Sequence, residues 1–456
     1  MTVSGQLGGQ GESLAGAVSE ADLRESMGRI RRYCDPYREL LVRPEQGTRL
    51  VQMVEGLTSV LERKSVEPIA LMHGVERRNL QQFVGTSKWD YDPLREQLRR
   101  EMAREIGSPD AALVLDGSAT PKKGNATVGV ARQWCGRHGK VDSCVVGVYA
   151  VYVGLGGLAS IADSQIYLPP AWAEDRERRA KVYVPEDVQY RSQQKIALEM
   201  TRTLAAELPF EWVLGDDEFG RSREVRDGVW ALGKSYVFDV PCDTRVRLVG
   251  HKKIWRVDAM AKSRSIRKWK WLRVRDGEKG PCEVVALALP VMTERDGAEA
   301  VAETLVVIEE PWDGRITYCL ARSRSPASLS QLVQHASQRH RVEEVFEEAK
   351  GEVGLDHFEV RAWHGWHHHM TLCQLAHWFL VREKRRLGKK SSGPDCEHDQ
   401  DGYWSSTVPR DNRQDGVAGE LPPGAERGRP PSPLASTWIN RASPPAHAVN
   451  RADFSQ

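Results

Sequence analysis

The chain has 456 residues, of which 40% are hydrophobic and 28% are charged, and its formal net charge at pH 7 is +2. This length exceeds one ordinary domain, and the composition is typical of a folded globular protein with enough apolar material for a core. No apolar run approaches the roughly 18 residues of a membrane span. Residues 1–20 have neither the basic nor the apolar segment of a secretory signal. A charge so close to zero does not by itself predict a nucleic-acid partner.

The cysteines favour a reducing compartment. The eight cysteines show no repeated spacing, which is typical of free thiols in the cytoplasm. Cys135, His138 and Cys144 lack a clear fourth ligand, so the pattern does not favour a structural zinc site. We therefore expect a cytoplasmic protein.

The region 21–108 is predicted to be helical, because apolar residues recur at three- and four-residue spacings between Arg, Gln and Glu. Within it, residues 66–83 read as a helix, a turn at a glycine and a second helix. This pattern fits a helix-turn-helix that would offer Arg77 and Arg78 to DNA, and it fits an ordinary helical hairpin at least as well. Residues 1–20 are predicted to be disordered.

The pattern then changes to short runs rich in Val and aromatic residues, separated by turns that contain Gly. Three strands, a helix over 189–207 and a fourth strand follow in the order of the ribonuclease-H-like fold. We assign 109–240 and 326–388 to this α/β core, a mixed sheet flanked by helices, and 241–325 to a β-rich insertion. Residues 389–456 are rich in Pro, Gly and Ser and are predicted to be a disordered tail.

Three acidic residues stand where tertiary folding could bring them together. Asp116 and Asp216 each end an apolar run predicted to be a strand, and Glu343 lies on a later predicted helix. Carboxylates that lie close together repel each other unless divalent cations separate them. The sequence therefore predicts a two-metal site of the kind that cuts phosphodiester bonds. Because neighbouring side chains of a strand face opposite sides, only one of Asp216 and Asp217 can enter this site.

The segments around these acids resemble those of bacterial insertion-sequence transposases of the DDE superfamily, the class with a β-rich insertion before its last Glu. The matching segments are Leu115-Asp116-Gly117-Ser118, Gly215-Asp216-Asp217-Glu218-Phe219-Gly220-Arg221 and Arg339-x-x-x-Glu343-x-x-x-x-x-x-Lys350. Two positions depart from the third motif, since Ala336 stands where Tyr is frequent and His340 where Trp is common. Neither residue is a predicted metal ligand.

The resemblance implies an enzyme that cuts the ends of an insertion sequence and joins them to target DNA by hydrolysis and transesterification. Asp116 would bridge two Mg²⁺ ions, Asp216 would hold one and Glu343 the other, with Mn²⁺ as a substitute. The register of the second motif favours Asp216 over Asp217. The implied partner is double-stranded DNA, both transposon ends and target, bound by a homodimer in the bacterial nucleoid without a membrane.

Basic residues supply the predicted contacts to DNA phosphates. Arg339 and Lys350 lie one and two turns from Glu343 on the predicted helix, where ion pairs within the helix are the alternative role. The basic, Trp-containing stretches of the insertion fit either a DNA-gripping surface or a sheet face whose Trp side chains pack inward. The full predicted set is Arg77, Arg78, Lys122, Lys123, Lys252, Lys253, Lys268, Lys270, Arg339 and Lys350.

Three further expectations complete the interpretation. The histidines at 364 and 367–369 are predicted to contact solvent or the DNA backbone rather than a metal. Two alternative functions remain open: a catalytically silent, transposase-derived DNA-binding protein, and a metal-dependent nuclease without strand transfer. The presence of all three acids argues against the silent protein, whereas the atypical tail beyond Lys390 argues for it.

Overall fold

The computed structural model describes residues 20–263, 269–277, 280–295 and 297–391, and its first part is helical. The five helices are α1 (Glu20–Arg38), α2 (Pro44–Leu57), α3 (Val66–Met72), α4 (Arg77–Gly85) and α5 (Asp92–Ile106). Their apolar faces pack together, and Leu50, Leu57, Ile69 and Leu80 are fully buried. The turn between α3 and α4 passes through Gly74, whose φ of 61° lies in the left-handed region that favours glycine.

The next part of the described chain forms one sheet of twelve strands. The strands are β1 (Ala112–Pro121), β2 (Ala131–Cys135), β3 (Lys140–Val153), β4 (Ala159–Ile166), β5 (Trp212–Gly215), β6 (Ser235–Asp239), β7 (Arg245–Leu248), β8 (Ile254–Arg256), β9 (Lys270–Gly277), β10 (Gly280–Arg295), β11 (Ala298–Glu309) and β12 (Ile316–Arg322). The helices between them are α6 (Pro170–Glu174), α7 (Arg176–Lys181), α8 (Gln193–Glu207), α9 (Asp217–Gly220), α10 (Arg223–Ala231) and α11 (Val257–Ala261).

Six strands, β1 to β6, form the half of the sheet that carries the predicted acids, and β2 extends it by pairing antiparallel with one end of β3. Strand β3 is antiparallel to both β4 and β1, whereas β1, β5 and β6 are parallel neighbours. Parallel neighbours need crossover connections, and helix α8 lies in the connection that enters β5 while α9 and α10 connect β5 to β6. The order β4-β3-β1-β5-β6 and these directions are those of a ribonuclease-H-like sheet, so the predicted fold class is confirmed.

Strand β12 joins the second half of the sheet to the first, because it pairs antiparallel with β6. Strands β11, β10, β7 and β8 continue from it in that order, and β9 pairs with β10. This half has its own apolar cluster, which includes the buried side chains of Val246, Val257, Leu287, Val291 and Leu305. The chain returns from it to the first half through β12, which places the last helices next to β6 and β1.

The last helices are α12 (Leu329–Gln338), α13 (His340–Val353) and α14 (Trp363–Ser391). Helix α14 is buried along most of its length, with Trp366, Met370 and Trp378 almost inaccessible to solvent. No helix among the described residues combines the length and apolar character that a membrane crossing requires. The predicted boundaries between domains stay a prediction, and most of the residues predicted to be disordered, 1–20 and 389–456, lie outside the described ranges.

The prediction of solvent or DNA contacts for the histidines of α14 is wrong for three of the four. His367, His368 and His369 are buried. The ring of His368 stacks on Trp89 with centroids 3.8 Å apart, and its two nitrogens lie 3.1 and 3.0 Å from the carbonyl oxygens of Val84 and Trp89. Burial lowers the pKa of His369 to about 4, because the charged ring would lose its hydration. His367 and His368 thus join α14 to the N-terminal helical region, whereas His369 contacts the carbonyl oxygen of Gly354 after α13.

Candidate active site

Asp116, Asp216 and a third acid, Asp239, lie in a row across three parallel strands. Leu115 of β1 pairs with Gly215 of β5, and Gly215 pairs with Phe238 of β6. The residue after each of these is an aspartate, so the three aspartates occupy the same level of the sheet. Neighbouring strands are about 4.8 Å apart, which keeps these side chains close together. We call Asp116, Asp216 and Asp239 the acid row.

The acid row accumulates negative charge in a partly buried place. Burial is the main reason why the pKa of Asp116 is raised to about 7, and the charge of Asp216 raises it further. Burial and the neighbouring Asp217 raise the pKa of Asp216 to about 6. The pKa of Asp239 is raised as well, chiefly by burial. Because burial and mutual repulsion disfavour the ionised carboxylates, this site is suited to binding a cation that would stabilise them.

Main-chain hydrogen bonds hold the first two carboxylates in place. The N–H of Gly117 donates to Oδ1 of Asp116 over 2.6 Å, and the N–H of Glu218 donates to Oδ1 of Asp216 over 3.0 Å. Asp216 thereby caps the N-terminus of α9. Both contacts favour the ionised carboxylate and partly oppose the effect of burial on its pKa.

The guanidinium of Arg339 faces the acid row from the start of α13. Its Nε lies 2.9 Å from Oδ2 of Asp239, and its Nη1 lies 3.3 Å from Oε1 of Glu343. Burial alone would lower the pKa of Arg339, but the carboxylates of Asp239, Glu343, Asp116 and Asp216 outweigh burial and raise it. Arg339 is therefore the cation that balances the row in this structure.

Glu343 approaches the row from the helix side. Its charge acts on Asp116, and α13 packs against the sheet through Phe346, whose ring meets that of Tyr149 edge-on at 5.1 Å. The carboxylate itself is half exposed and contacts Arg339 and Nδ1 of His340, the latter at 3.1 Å. Within the described ranges no three His, Cys, Asp or Glu side chains stand close enough to ligate one ion together. To bind a metal ion together with Asp116 and Asp216, the carboxylate of Glu343 would have to give up its ion pair with Arg339.

Asp216 and Asp217 differ in their contacts and in their register with Asp116. Oδ2 of Asp217 lies 2.6 Å from Nη2 of Arg221, one turn later in the chain, and this ion pair is exposed. Both aspartates border a cavity of about 400 Å³ that Asp239 and Arg339 also line. Only Asp216 lies in register with Asp116, which agrees with the preference for Asp216 in the sequence motif.

Lys350 and Lys122, two predicted DNA contacts, lie at different distances from the acid row and differ in their surroundings. The pKa of Lys350 is lowered, mainly by burial, and the charges of Asp116 and Arg137 both act on it. Lys122 is turned inward: its Nζ donates to the carbonyl oxygen of Phe358 over 2.6 Å and lies 3.4 Å from the centroid of that ring. Burial lowers the pKa of Lys122 to about 8. Lys123, the next residue, is exposed.

The other predicted contacts are distributed over the surface. Arg77 and Arg78 are exposed on α4, and Nη1 of Arg77 lies 3.2 Å from Oε1 of Glu67. Lys252 and Lys253 lie between β7 and β8, and Nζ of Lys253 is 3.7 Å from the ring centroid of Trp255. Lys270 is exposed on β9. Lys268 lies outside the described residues.

The sequence analysis did not single out Asp239. A signal was present, because Asp239 follows the strand-like run Tyr236-Val237-Phe238 in the same way that Asp116 and Asp216 follow theirs. The significance of that signal depends on β6 lying parallel to β5 and in register with it, which the sequence does not show.

Comparisons with known proteins agree with this geometry. Residues 36–289 match a family model described as DDE superfamily endonuclease, a region that contains the acid row but not Glu343. A probable transposase for insertion sequence element IS701 from Microchaete diplosiphon is 30% identical over 194 residues, which are 42% of this chain and 47% of that protein. The alignment therefore spans about half the length of this curated relative.

A solved structure with some overlap is the piggyBac transposase synaptic complex with hairpin DNA, determined by cryo-EM. The superposition covers 84% of this chain and 81% of the piggyBac chain, with 9% sequence identity and a TM-score of 0.34. The family match, in contrast, includes more than half of the 456 residues. The superfamily predicted from the three motifs is thus confirmed, and the chain belongs to the DDE superfamily endonuclease family.

Proposed function

We propose that this protein is a transposase that cuts the ends of an insertion sequence and joins them to target DNA. The observation that carries the proposal is the alignment of Asp116 with Asp216 on neighbouring parallel strands, next to Glu343 on α13. The similarity to a probable insertion-sequence transposase favours transposition over simple DNA cleavage. Because the two ends of an element are processed together, we propose that a homodimer acts on double-stranded DNA in the bacterial nucleoid.

The donor set fits a hard divalent cation. Carboxylate oxygens are the ligands that Mg²⁺ and Mn²⁺ prefer. Burial is the main cause of the raised pKa values of Asp116 and Asp216, and it disfavours their charged forms, which a bound cation would stabilise. Asp116 and Asp216 would hold the metal, with Glu343 as the third ligand. When bound, a pair of such ions activates the attacking hydroxyl and stabilises the leaving oxygen.

We propose that Arg339 orients the DNA at this site. Asp239 and Glu343 engage its Nε and Nη1, and no described residue bonds its Nη2. An arginine held in this way offers a directed donor to a phosphate oxygen, and charge-assisted hydrogen bonds of this kind are stronger than neutral ones. Lys350, two helical turns after Glu343, would contribute a second positive charge on the same side of the site.

The proposal is tested with the full-length protein, a duplex carrying the element's two ends, a target plasmid and Mg²⁺. Joined products are expected, and the Asp116→Asn variant is the matched control. Cut ends without joining would instead support the metal-dependent nuclease. Binding without cutting would support the catalytically silent protein.

A further inference from the structure

A basic cleft opens where β1 ends, beyond the acid row. Its volume is about 700 Å³, and its cationic lining consists of Arg63, Lys122, Lys123, Arg137 and Arg361. These residues come from four separate parts of the chain, namely the segment before α3, the end of β1, the turn after β2 and the connection between α13 and α14. The fold therefore concentrates positive charge that is scattered in a nearly neutral sequence.

The negative charges in this cleft are already engaged. Oδ2 of Asp356 lies 2.5 Å from Nη1 of Arg137, and Oε1 of Glu359 lies 2.5 Å from Nη2 of Arg63. Lys123 and Arg361 are exposed, and neither contacts a carboxylate among the described residues. Five cations against two carboxylates leave the lining with an excess of positive charge.

Strand β1 leads from the acid row to the cleft, because Asp116 lies on it and its last residues, Thr120 and Pro121, line the cleft. The charge of Asp116, in the row, and the charge of Arg137, in the cleft, both act on Lys350. A phosphodiester chain whose reacting phosphate lies at Asp116 would thus meet Lys350 first and the cleft next. The contacts of Lys122 with Phe358 hold the end of β1 against the connection between α13 and α14, which together form one wall of the cleft.

We propose that this cleft binds the sugar-phosphate backbone of the DNA strand that extends from the acid row, with Lys123 and Arg361 as its phosphate contacts. The inference rests on the proposed function, and it specifies the path that the DNA strand takes after it leaves the acid row. Exposed Lys and Arg side chains neutralise phosphates, and such contacts position DNA without reading its sequence. The backbone would pass between Arg63 on the side of the N-terminal helices and Arg137 on the side of β2.

The first test measures how DNA affinity depends on salt, using the full-length protein in EDTA and a labelled duplex of mixed sequence. Each phosphate contact contributes about 0.9 to the slope of log affinity against log salt. We expect Lys123→Ser and Arg361→Ser each to reduce this slope by about 0.9, whereas the control Arg202→Ser leaves it unchanged. Arg202 is also exposed and contacts no carboxylate among the described residues, but it lies on α8 outside the cleft.

The second test uses the unaltered protein, so folding of a variant does not affect it. Lysine acetylation is followed by mass spectrometry with and without the same duplex. Lys123 should become protected, whereas Lys181, an exposed lysine paired with Glu177 on α7, should not. Unchanged slopes in both variants together with an unprotected Lys123 would overturn the cleft proposal. Cutting and joining by the wild type would then still support the proposed function, and a wild type that binds no DNA would overturn both.

Discussion

Asp239 holds Arg339 through an ion pair of 2.9 Å, and this contact joins the last strand of the acid row to the helix that carries Glu343. Asp239 also accepts a hydrogen bond from the Sγ of Cys319 over 3.2 Å. Cys319 on β12 therefore fixes the carboxylate of Asp239 within the sheet. Arg339, the first residue of the Arg339-to-Lys350 motif, binds the same carboxylate from the start of α13. The position of Glu343 near Asp116 depends on this junction.

The first prediction is that Asp239 positions Arg339. The Asp239→Asn variant should lower the rate of end cleavage by about 10- to 100-fold, because a misplaced Arg339 no longer directs the phosphate. If the two residues act as a unit, Asp239→Asn should have little further effect in an Arg339→Ala background. Cleavage rates of the four proteins in this cycle measure the coupling, and independent, additive losses would contradict it.

The second prediction separates chemistry from binding at neighbouring acids. Asp116→Asn and Asp216→Asn should reduce cleavage and joining below detection while leaving DNA binding in EDTA intact. Asp217→Asn is the matched control and should retain activity within about twofold, because the carboxylate of Asp217 forms an exposed ion pair with Arg221 and is out of register with Asp116. If Asp216→Asn remained active and Asp217→Asn lost activity, Asp217 rather than Asp216 would be the metal ligand.

The third prediction concerns the cation without relying on catalysis. A ligand that binds only the folded protein stabilises it, by about 2.7 kcal/mol at a concentration 100 times its Kd. Mg²⁺ or Mn²⁺ should therefore raise the melting temperature of the wild type above its value in EDTA. The increase should disappear in Asp116→Asn and persist in Asp217→Asn. Equal stabilisation of all three proteins would place the binding site elsewhere.

The fourth prediction is a pH dependence of stability. The folded state raises the pKa of Asp116 from 3.8 to about 7, so the neutral carboxyl is favoured and the stability it contributes is lost as pH rises through this range. Asp116→Asn should match the wild type below pH 4 and be more stable above pH 7. One pKa unit corresponds to about 1.4 kcal/mol, so a difference on the order of 1–3 kcal/mol is expected after allowance for partial exposure.

Urea unfolding of both proteins in metal-free buffer from pH 4 to pH 8 measures this difference. Titrating groups far from Asp116 are common to both proteins and cancel in the comparison, whereas Asp216, whose charge acts on Asp116, contributes to the difference. A constant difference across this range would show that the charge of Asp116 does not destabilise the fold.

The fifth prediction concerns the junction between α5, β4 and α14. Nη1 of Arg95 lies 3.3 Å from Oδ1 of Asp163, and its Nε donates to Oγ1 of Thr371 over 2.8 Å, with both charged side chains buried. Arg95→Met leaves Asp163 buried without its partner, which should lower the free energy of unfolding by about 3–5 kcal/mol. Adding Asp163→Asn should recover part of the loss in urea unfolding, and no recovery would contradict the charge argument.

Local patterns in the sequence were sufficient to predict much of this protein. The runs that end at Asp116 and Asp216 are strands, and Glu343 lies on a helix, because alternation and helical periodicity depend only on neighbouring residues. The predicted fold class and superfamily are confirmed as well. These features follow from the order of elements and from motifs that are contiguous along the chain.

Long-range pairing decided the rest. Asp239 joins the acid row only because β6 lies parallel to β5 and in register with it, and Lys122 turns inward only because Phe358 lies beneath it. His367 and His368 are buried because the N-terminal helical region covers α14, and His369 is buried against Gly354 and Phe358. Each of these positions depends on which distant segment packs against a residue. Strand register and helix packing set that choice, whereas periodicity along the chain does not.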